Sequence, residues 1–79
     1  MTTVIRDMVE YIVKSIVIQP DEVTLEEVVD GNDITIRISV AADDMGKIIG
    51  KQGKIAKAIR LVAKAAAIRQ NVRVSIEIV

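Results

Sequence analysis

The chain reads Ile48-Ile49-Gly50-Lys51-Gln52-Gly53 shortly after its midpoint. Two glycines separated by two polar residues permit a tight turn and a close approach of the backbone to a ligand. The flanking segments favour helices, a short one over residues 43–49, with Asp43 or Asp44 as its cap, and a longer one over residues 53–69. We therefore predict two helices joined by a Gly-x-x-Gly loop at residues 50–53.

The longer of these helices is predicted to have an apolar face and a basic face. At about 100° per residue, the apolar face holds Ile55, Ala58, Ile59, Val62, Ala63 and Ala66. The opposite face holds Lys54, Lys57, Arg60 and Lys64. No acidic residue occurs between Met45 and Ile76 to neutralise them. The helix also points its N–H groups and positive dipole end at the loop, which suits a phosphate. The pattern predicts salt-dependent contacts with a nucleic-acid backbone.

The N-terminal half is predicted to hold one helix and two strands. Residues 3–18 have the apolar spacing of an amphipathic helix, with Thr2 or Thr3 as a cap and Pro20 just beyond its end. The predicted buried stripe holds Ile5, Met8, Val9, Ile12 and Ile16. The apolar residues outside that stripe mark either core packing, which we favour, or a dimer surface: Val4, Tyr11, Val13 and Val17. Residues 22–29 form a plausible strand with imperfect alternation, and residues 34–41 alternate cleanly. The turn residues Asp30-Gly31-Asn32-Asp33 lie between them, so we expect a hairpin.

Residues 72–78 alternate again and form the last predicted strand. A helical crossover connects this strand to the second one, so the two should be parallel if they are adjacent. The predicted order is α-β-β-α-α-β, an α+β fold with a three-stranded mixed sheet and helices packed on one face. With 79 residues, one domain covering residues 1–79 is expected.

Composition excludes several functional classes. The chain has no Cys and no His, so disulfides, thiolate metal sites and histidine-centred catalysis are impossible. No convergent carboxylate pair is evident, and Gly53-Lys54 is followed by Ile55 rather than the residues of a Walker loop. We predict a protein that is not an enzyme and that needs no metal or cofactor. No apolar run reaches the length of a membrane span, so a cytoplasmic protein without membrane contact is expected.

The net charge of zero conceals an uneven distribution. Residues 1–44 carry three basic and ten acidic residues, whereas residues 45–79 carry eight basic residues and one acidic residue. Such asymmetry between halves predicts a localised basic surface.

The segment 48–53, followed by a basic helix, resembles the signature of the KH RNA-binding domain. The element order resembles the type II arrangement, and nearly the whole chain is similar to the small bacterial KhpA-like (YlqC-type) family. The resemblance covers Asp44-Met45-Gly46 through Lys57-Ala58-Ile59-Arg60 and then Val62-Ala63-Lys64-Ala65-Ala66-Ala67. One departure is Ile55-Ala56, where many KH domains have a polar residue followed by Ile.

The resemblance implies a role in holding single-stranded RNA. In KH domains the loop grips the backbone of about four nucleotides, and the bases lie in a narrow apolar groove. Ile48 and Ile49 would support the loop, one of them lining the groove. The RNA contacts implied for this chain are those of Gly50, Lys51, Gln52 and Gly53, with Lys47, Lys54, Lys57 and Arg60 beside them.

The resemblance also implies self-association, or pairing with a second, Jag-like KH protein, and a role as an RNA chaperone or post-transcriptional regulator. Leu61 and Ile68 lie near the basic side, where apolar residues are unexpected, and they mark either partly buried positions or a dimer surface. An alternative function is a KH-fold protein–protein interaction module that acts mainly through a partner. Lys51 and the basic helix argue against that alternative, because a loop that reads protein has little need of them.

Overall fold

The alternating segments of the chain form one sheet of three strands. The structure is a computed structural model that describes residues 4–79. Strand β1 (Thr24–Asp30) pairs antiparallel with β2 (Asp33–Ser39), and β2 pairs parallel with β3 (Arg73–Ile78). The sheet order is β1-β2-β3, so the cleanly alternating β2 is central. The predicted hairpin and the predicted parallel pair are both confirmed.

In the part of the chain that the structure describes, three α-helices complete the order α-β-β-α-α-β. They are α1 (Val4–Ile16), α2 (Met45–Ile49) and α3 (Lys54–Arg69), and 3-10 turns occupy Pro20–Glu22, Ala42–Asp44 and Lys51–Gly53. The predicted α+β class with a mixed three-stranded sheet is confirmed. Within residues 4–79, no helix is long and apolar enough to cross a membrane.

The core lies between the helices and one face of the sheet. Strand β2 contributes Ile34, Ile36 and Ile38, which alternate with exposed or half-buried neighbours as the period of a strand requires. The other buried side chains of this cluster come mainly from the helices: Ile5, Val9, Val13, Val17, Val23, Ile48, Ile59, Ala63, Ala67 and Ile76.

The imperfect alternation of β1 follows from its position at the edge of the sheet. Its core-facing positions pair with the buried residues of β2, and Glu27 occupies one of them opposite Ile36. Glu27 is half-buried and Val29, on the same side, is exposed. An edge strand is only partly covered, so it tolerates a carboxylate on the side that would otherwise be apolar.

Helix α1 is shorter than predicted, and its buried stripe is different. It ends at Ile16, and its fully buried residues are Ile5, Val9 and Val13, whereas Val4 and Tyr11 are exposed. The predicted stripe was therefore wrong to leave out Val13. The preference for core packing over a dimer surface is confirmed for Val13, which is buried. The predicted caps Thr2 and Thr3 lie outside the described residues.

The prediction that Asp43 or Asp44 caps the short helix α2 was wrong. Asp44 occupies the position before α2 but makes no side-chain capping bond. Its carboxylate is buried and instead accepts hydrogen bonds from the backbone N–H groups of Ile18 and Gln19, at 3.1 and 3.0 Å. These donors follow the end of α1, so Asp44 ties the chain after α1 to the start of α2.

The predicted apolar face of α3 was only partly correct. Ile59 and Ala63 are buried, but Ile55, Ala58 and Val62 are exposed. The buried face is instead centred on four residues: Ala56, Ile59, Ala63 and Ala67. The three alanines let the helix backbone approach its neighbours closely, so the helix turns this small-residue face inward and the larger side chains lie outside.

Candidate nucleic-acid interface

The loop at residues 50–53 is a tight turn whose backbone is mostly left-handed. Gly50 has φ 73° and ψ 174°, and Gln52 and Gly53 follow with φ values of 59° and 74°. The N–H of Gly53 donates to the carbonyl of Gly50 at 3.1 Å, which closes the turn, and the N–H of Gly50 donates to the carbonyl of Gly46 at 2.8 Å. These bonds fix the loop between α2 and α3.

Gly50 is a glycine for two independent physical reasons. Its φ and ψ lie in a region that is essentially restricted to glycine. A Cβ at this position would also lie 2.8 Å from the Cβ of Ile55 and 2.9 Å from its backbone nitrogen, and it would overlap the Ile55 Cγ1. Ile55, predicted as a core residue, therefore packs on the Gly50 backbone. At the departure Ile55-Ala56, Ile55 thus packs against the loop and Ala56 takes a buried position of α3.

The side chains predicted to bind RNA occupy one continuous part of the chain but differ in exposure. Ile48 is completely buried and anchors α2 in the core, while Ile49 is 43% exposed at the end of that helix. Of the two isoleucines, only Ile49 has a surface that a ligand could contact. The exposed polar members are Lys47, Lys51, Gln52, Lys54, Lys57 and Arg60, and Gly50 and Gly53 are half-buried.

The electrostatics of this region are uniformly positive. Lys51 and Gln52 form the tip of the loop, and Lys54 begins α3 directly after it. Gly53 precedes that helix and has no side chain to cap its first turn. The N–H of Lys54 donates to the carbonyl of Lys51, and the N–H groups that follow it in the first turn of α3 have no side-chain cap and can face an anion. Backbone N–H groups at this end of α3 can hold one phosphate, and the lysine ammonium groups can neutralise the adjacent phosphates of a nucleic-acid strand.

A shallow groove runs from the basic side of α3 to the edge strand β3. Its volume is about 320 Å³, and its lining residues are Arg60, Lys64, Val74, Ser75 and Ile76. A second depression continues it toward the end of α3 and shares Lys64, Val74 and Ser75. Arg60 crosses the groove, since its Nε lies 3.4 Å from the carbonyl oxygen of Ile76. The groove therefore has a basic wall on α3 and a mostly apolar wall on β3.

Sequence reasoning did not assign the groove's second wall. Val74 and Ser75 were placed only in an alternating strand, and Lys64 was placed on the basic face but not at the binding site. The predicted parallel pairing of β2 with β3 could have indicated this wall. It leaves β3 at the edge of the sheet, next to α3, and a groove can form between the two. Among residues 4–79, no cluster of three acidic side chains is arranged to hold a metal ion.

Comparison with known proteins assigns the family. The family model described as KhpA/KhpB, KH domain, matches residues 6–78. The chain is 53% identical to the RNA-binding protein KhpA of Clostridium acetobutylicum over 74 residues, which cover 94% of this chain and 99% of that protein. It is 50% identical to the protein of the same name from Clostridium perfringens, with the same coverage. The protein of that name from Chlamydia trachomatis is 48% identical over 92% of this chain and 94% of its own length. The chain belongs to the KhpA/KhpB family of KH-domain proteins.

Proposed function

We propose that this protein binds single-stranded RNA without catalysis, as one KH unit, and grips the RNA backbone with the loop at residues 50–53. The observation that carries the proposal is a glycine-bounded turn with an exposed Lys-Gln tip, which lies at the open amide end of a basic helix. The relatives named as RNA-binding proteins support it, since they match this chain almost from end to end.

Each part of the interface has a separate role in this proposal. Gly50 and Gly53 let the RNA backbone approach the chain, and Lys51 and Gln52 contact phosphate and sugar groups. Lys47, Lys54 and Lys57 add positive charge along the strand. The bases lie in the groove between α3 and β3, where Arg60 and the apolar wall contact them.

The chemistry of the groove favours modest sequence selectivity. Tyr11 is the only aromatic residue of the chain, and it lies on α1. Bases bound in the groove therefore lack an aromatic ring on which to stack, and stacking contributes about 1–3 kcal/mol per base where it occurs. Weak, unselective binding fits a general role such as RNA chaperone or post-transcriptional regulator.

Backbone NMR tests the location of the interface. Addition of a single-stranded oligouridylate to ¹⁵N-labelled protein should shift the amide signals of residues 50–54 and of the groove residues Arg60, Lys64 and Ser75. The signals of β1, the strand at the sheet edge away from β3, such as that of Glu26, should stay in place and serve as the internal control. Shifts that avoid the loop would favour the alternative function, an interaction module that acts through a protein partner.

We also propose that the chain associates through an exposed apolar stripe on α3. The outer stripe comprises Ala58, Leu61, Ala65 and Ile68, all exposed, with Leu61 and Ile68 at 69% and 66%. Their spacing of three, four and three residues is that of a helix-pairing seam. In an antiparallel pair of identical helices, Ala58 lies opposite Ile68 and Leu61 opposite Ala65, so each large side chain meets a small one.

The outer stripe can pair with a second copy or with a related KH protein, and self-complementarity favours the second copy for this chain. Sedimentation equilibrium tests it: Leu61→Asp should shift the protein toward the monomer. Val4→Asp is the matched control, because Val4 is equally exposed at 67% but lies on α1. If both variants self-associate as tightly as the unchanged protein, the outer stripe is not the interface.

A further inference from the structure

Lys57 and Lys64 lie on one flank of the outer stripe of α3. At about 100° per residue, Lys57 and Lys64 lie about 60–80° to one side of the centre of the stripe. Lys64 also lines the groove to β3, so this flank of α3 is the side that faces the proposed RNA path. The opposite flank carries the apolar residues Ile55 and Val62, and Arg69 near its end.

Antiparallel pairing brings identical flanks of the two helices to the same side. A two-fold axis between antiparallel helices is perpendicular to both, so the basic flank of one copy continues into the basic flank of the other. The pairs Ala58–Ile68 and Leu61–Ala65 both have residue 63 as their midpoint. Lys64 is therefore displaced from the axis by only one residue, a rise of about 1.5 Å.

Pairing consequently places the two Lys64 side chains on the same face of the helix pair, one on each side of the two-fold axis and close to it. No acidic residue occurs between Met45 and Ile76, so α3 offers no carboxylate to separate them. Like charges so placed repel each other, which weakens the pair, and the repulsion falls as salt increases. A phosphate between them would turn this repulsion into two attractions.

We propose that single-stranded RNA crosses the two-fold axis and that Lys64 of both copies binds its backbone there, so that RNA binding strengthens self-association. This inference rests on the proposed function and on the outer stripe. By linkage, an RNA that strengthens the pair is itself bound more tightly by the pair than by the single chain. The RNA must be long enough to reach both copies, because each loop takes only about four nucleotides.

The test measures the dimer dissociation constant by fluorescence-detected sedimentation, with and without RNA. The probes are oligouridylates of about 20 nucleotides, which can reach both copies, and of about four nucleotides, which cannot. For the unchanged protein we expect the longer RNA to lower the dissociation constant by about tenfold or more and the shorter RNA to leave it unchanged. Without RNA, added salt should also lower the dimer dissociation constant, because it screens the repulsion between the two Lys64 side chains.

The decisive variant is Lys64→Gln, because Gln keeps a good helix former at an exposed position while removing the charge. It should dimerise more tightly than the unchanged protein without RNA. The longer RNA should lower its dissociation constant by a clearly smaller factor than for the unchanged protein, because only the linking of the two loops remains. Lys14→Gln is the charge-matched control on α1 and should behave like the unchanged protein.

The outcomes separate this inference from the proposals on which it rests. A Lys64→Gln variant that gains as much from the longer RNA as the unchanged protein would overturn the role of Lys64, since two linked sites alone would then account for the gain. RNA binding without any change in association would overturn the coupling but leave the proposed function intact. No binding of either RNA would overturn the proposed function itself.

Discussion

Gly50 is the residue at which the conformation of the loop is most tightly constrained. We predict that Gly50→Ala lowers the free energy of unfolding by more than about 2 kcal/mol, because the Cβ needs a glycine-only conformation and collides with Ile55. Urea unfolding provides the measurement. The loss should accompany a change in the amide signals of the loop, since either the loop or Ile55 must move.

Two other glycines supply matched controls for that substitution. A Cβ at Gly53 would meet no atom of residues 4–79 within 4 Å, apart from its chain neighbours, but φ is 74°, so Gly53→Ala should cost only about 1–2 kcal/mol. A Cβ at Gly46 also meets nothing, and its helical position should make Gly46→Ala stabilising by up to about 1 kcal/mol. A Gly50→Ala loss no larger than that of Gly53→Ala would contradict the close packing of Ile55.

Asp44 is the buried carboxylate that joins the chain after α1 to α2. Asp44→Ala removes the acceptor of the Ile18 and Gln19 N–H groups, and hydrogen bonds to a charged group contribute about 1.5–3 kcal/mol each. Removal of the carboxylate also removes the cost of burying its charge, so the loss should be smaller than the sum of the two bonds. We expect the free energy of unfolding to fall by about 2–3 kcal/mol, measured by thermal or urea unfolding. The exposed neighbour Asp43 is the control, and Asp43→Ala should stay within about 0.5 kcal/mol. Similar losses for both variants would show that charge near α2, rather than these bonds, is what matters.

Residue patterns predicted the loop but could not predict the role of Asp44. An Asp just before a helix is typical of a cap, and the sequence contains no sign that the donors lie 26 and 25 residues earlier. Gly50 was predictable as a turn glycine, whereas the packing of Ile55 against it depends on the loop's tertiary geometry. Local preference fixes a residue's conformation, but its partners are decided by the assembled fold.

At the scale of elements, the ion-pair ladder of α1 gives the helix a measurable pH dependence. Glu10 lies 3.3 Å from the Lys14 ammonium and 2.9 Å from the Arg6 guanidinium, one turn away on either side. The hydrogen bond from Lys14 is the main cause that lowers the pKa of Glu10 below its ordinary value of 4.5; desolvation opposes it, and the charges of Arg6 and Lys14 add to it. The folded state therefore favours the charged carboxylate.

A lowered pKa in the folded state contributes stability that is present above the ordinary value and lost as the pH falls. We expect the midpoint of thermal unfolding to be lower for Glu10→Gln than for the unchanged protein at neutral pH. The difference should shrink as the pH falls through and below 4.5, where the unchanged protein also loses its charge. High salt should shrink it as well. A difference that stays constant with pH would mean that packing rather than charge accounts for the effect.

Elements with one strict period were predicted more accurately than the amphipathic helices. Strand β2 was correct because Ile34, Ile36 and Ile38 alternate without exception, and a one-residue error would bury polar side chains. Helix α3 was harder, since small and large apolar residues surround much of its circumference. Side-chain size rather than hydrophobicity decided its buried face. The spacing of apolar residues in a sequence does not show whether a helix buries its large side chains or turns its small ones inward so that it can approach its neighbours closely.

At the scale of the whole molecule, the two halves of the chain differ in charge for a structural reason. The acidic half forms α1 and the β1–β2 hairpin, and the basic half forms the loop, α3 and β3. The positive field is thereby concentrated beside the groove, while the acidic half keeps the total at zero. An anionic polymer is steered to one side of such a molecule. The uneven distribution was readable from the sequence, whereas the groove required the sheet order.

The most direct test of RNA binding by the loop is fluorescence anisotropy of a labelled single-stranded RNA. The unchanged protein is compared with the double variant Lys51→Asp/Gln52→Asp and with Lys14→Asp/Gln19→Asp, which changes the same residue types by the same charge on the opposite part of the chain. Circular dichroism verifies that both variants are folded. All four positions are exposed, and the control variant also loses the ion pair between Lys14 and Glu10, so binding is compared below its unfolding temperature.

We predict that the unchanged protein and the control variant bind, with affinity that falls steeply with salt. For about four phosphate contacts the slope of log K against log salt should be about −3. The loop variant should lose binding at every salt concentration. A loop variant that is folded and binds RNA as tightly as the control would contradict the proposal that the loop at residues 50–53 grips the RNA.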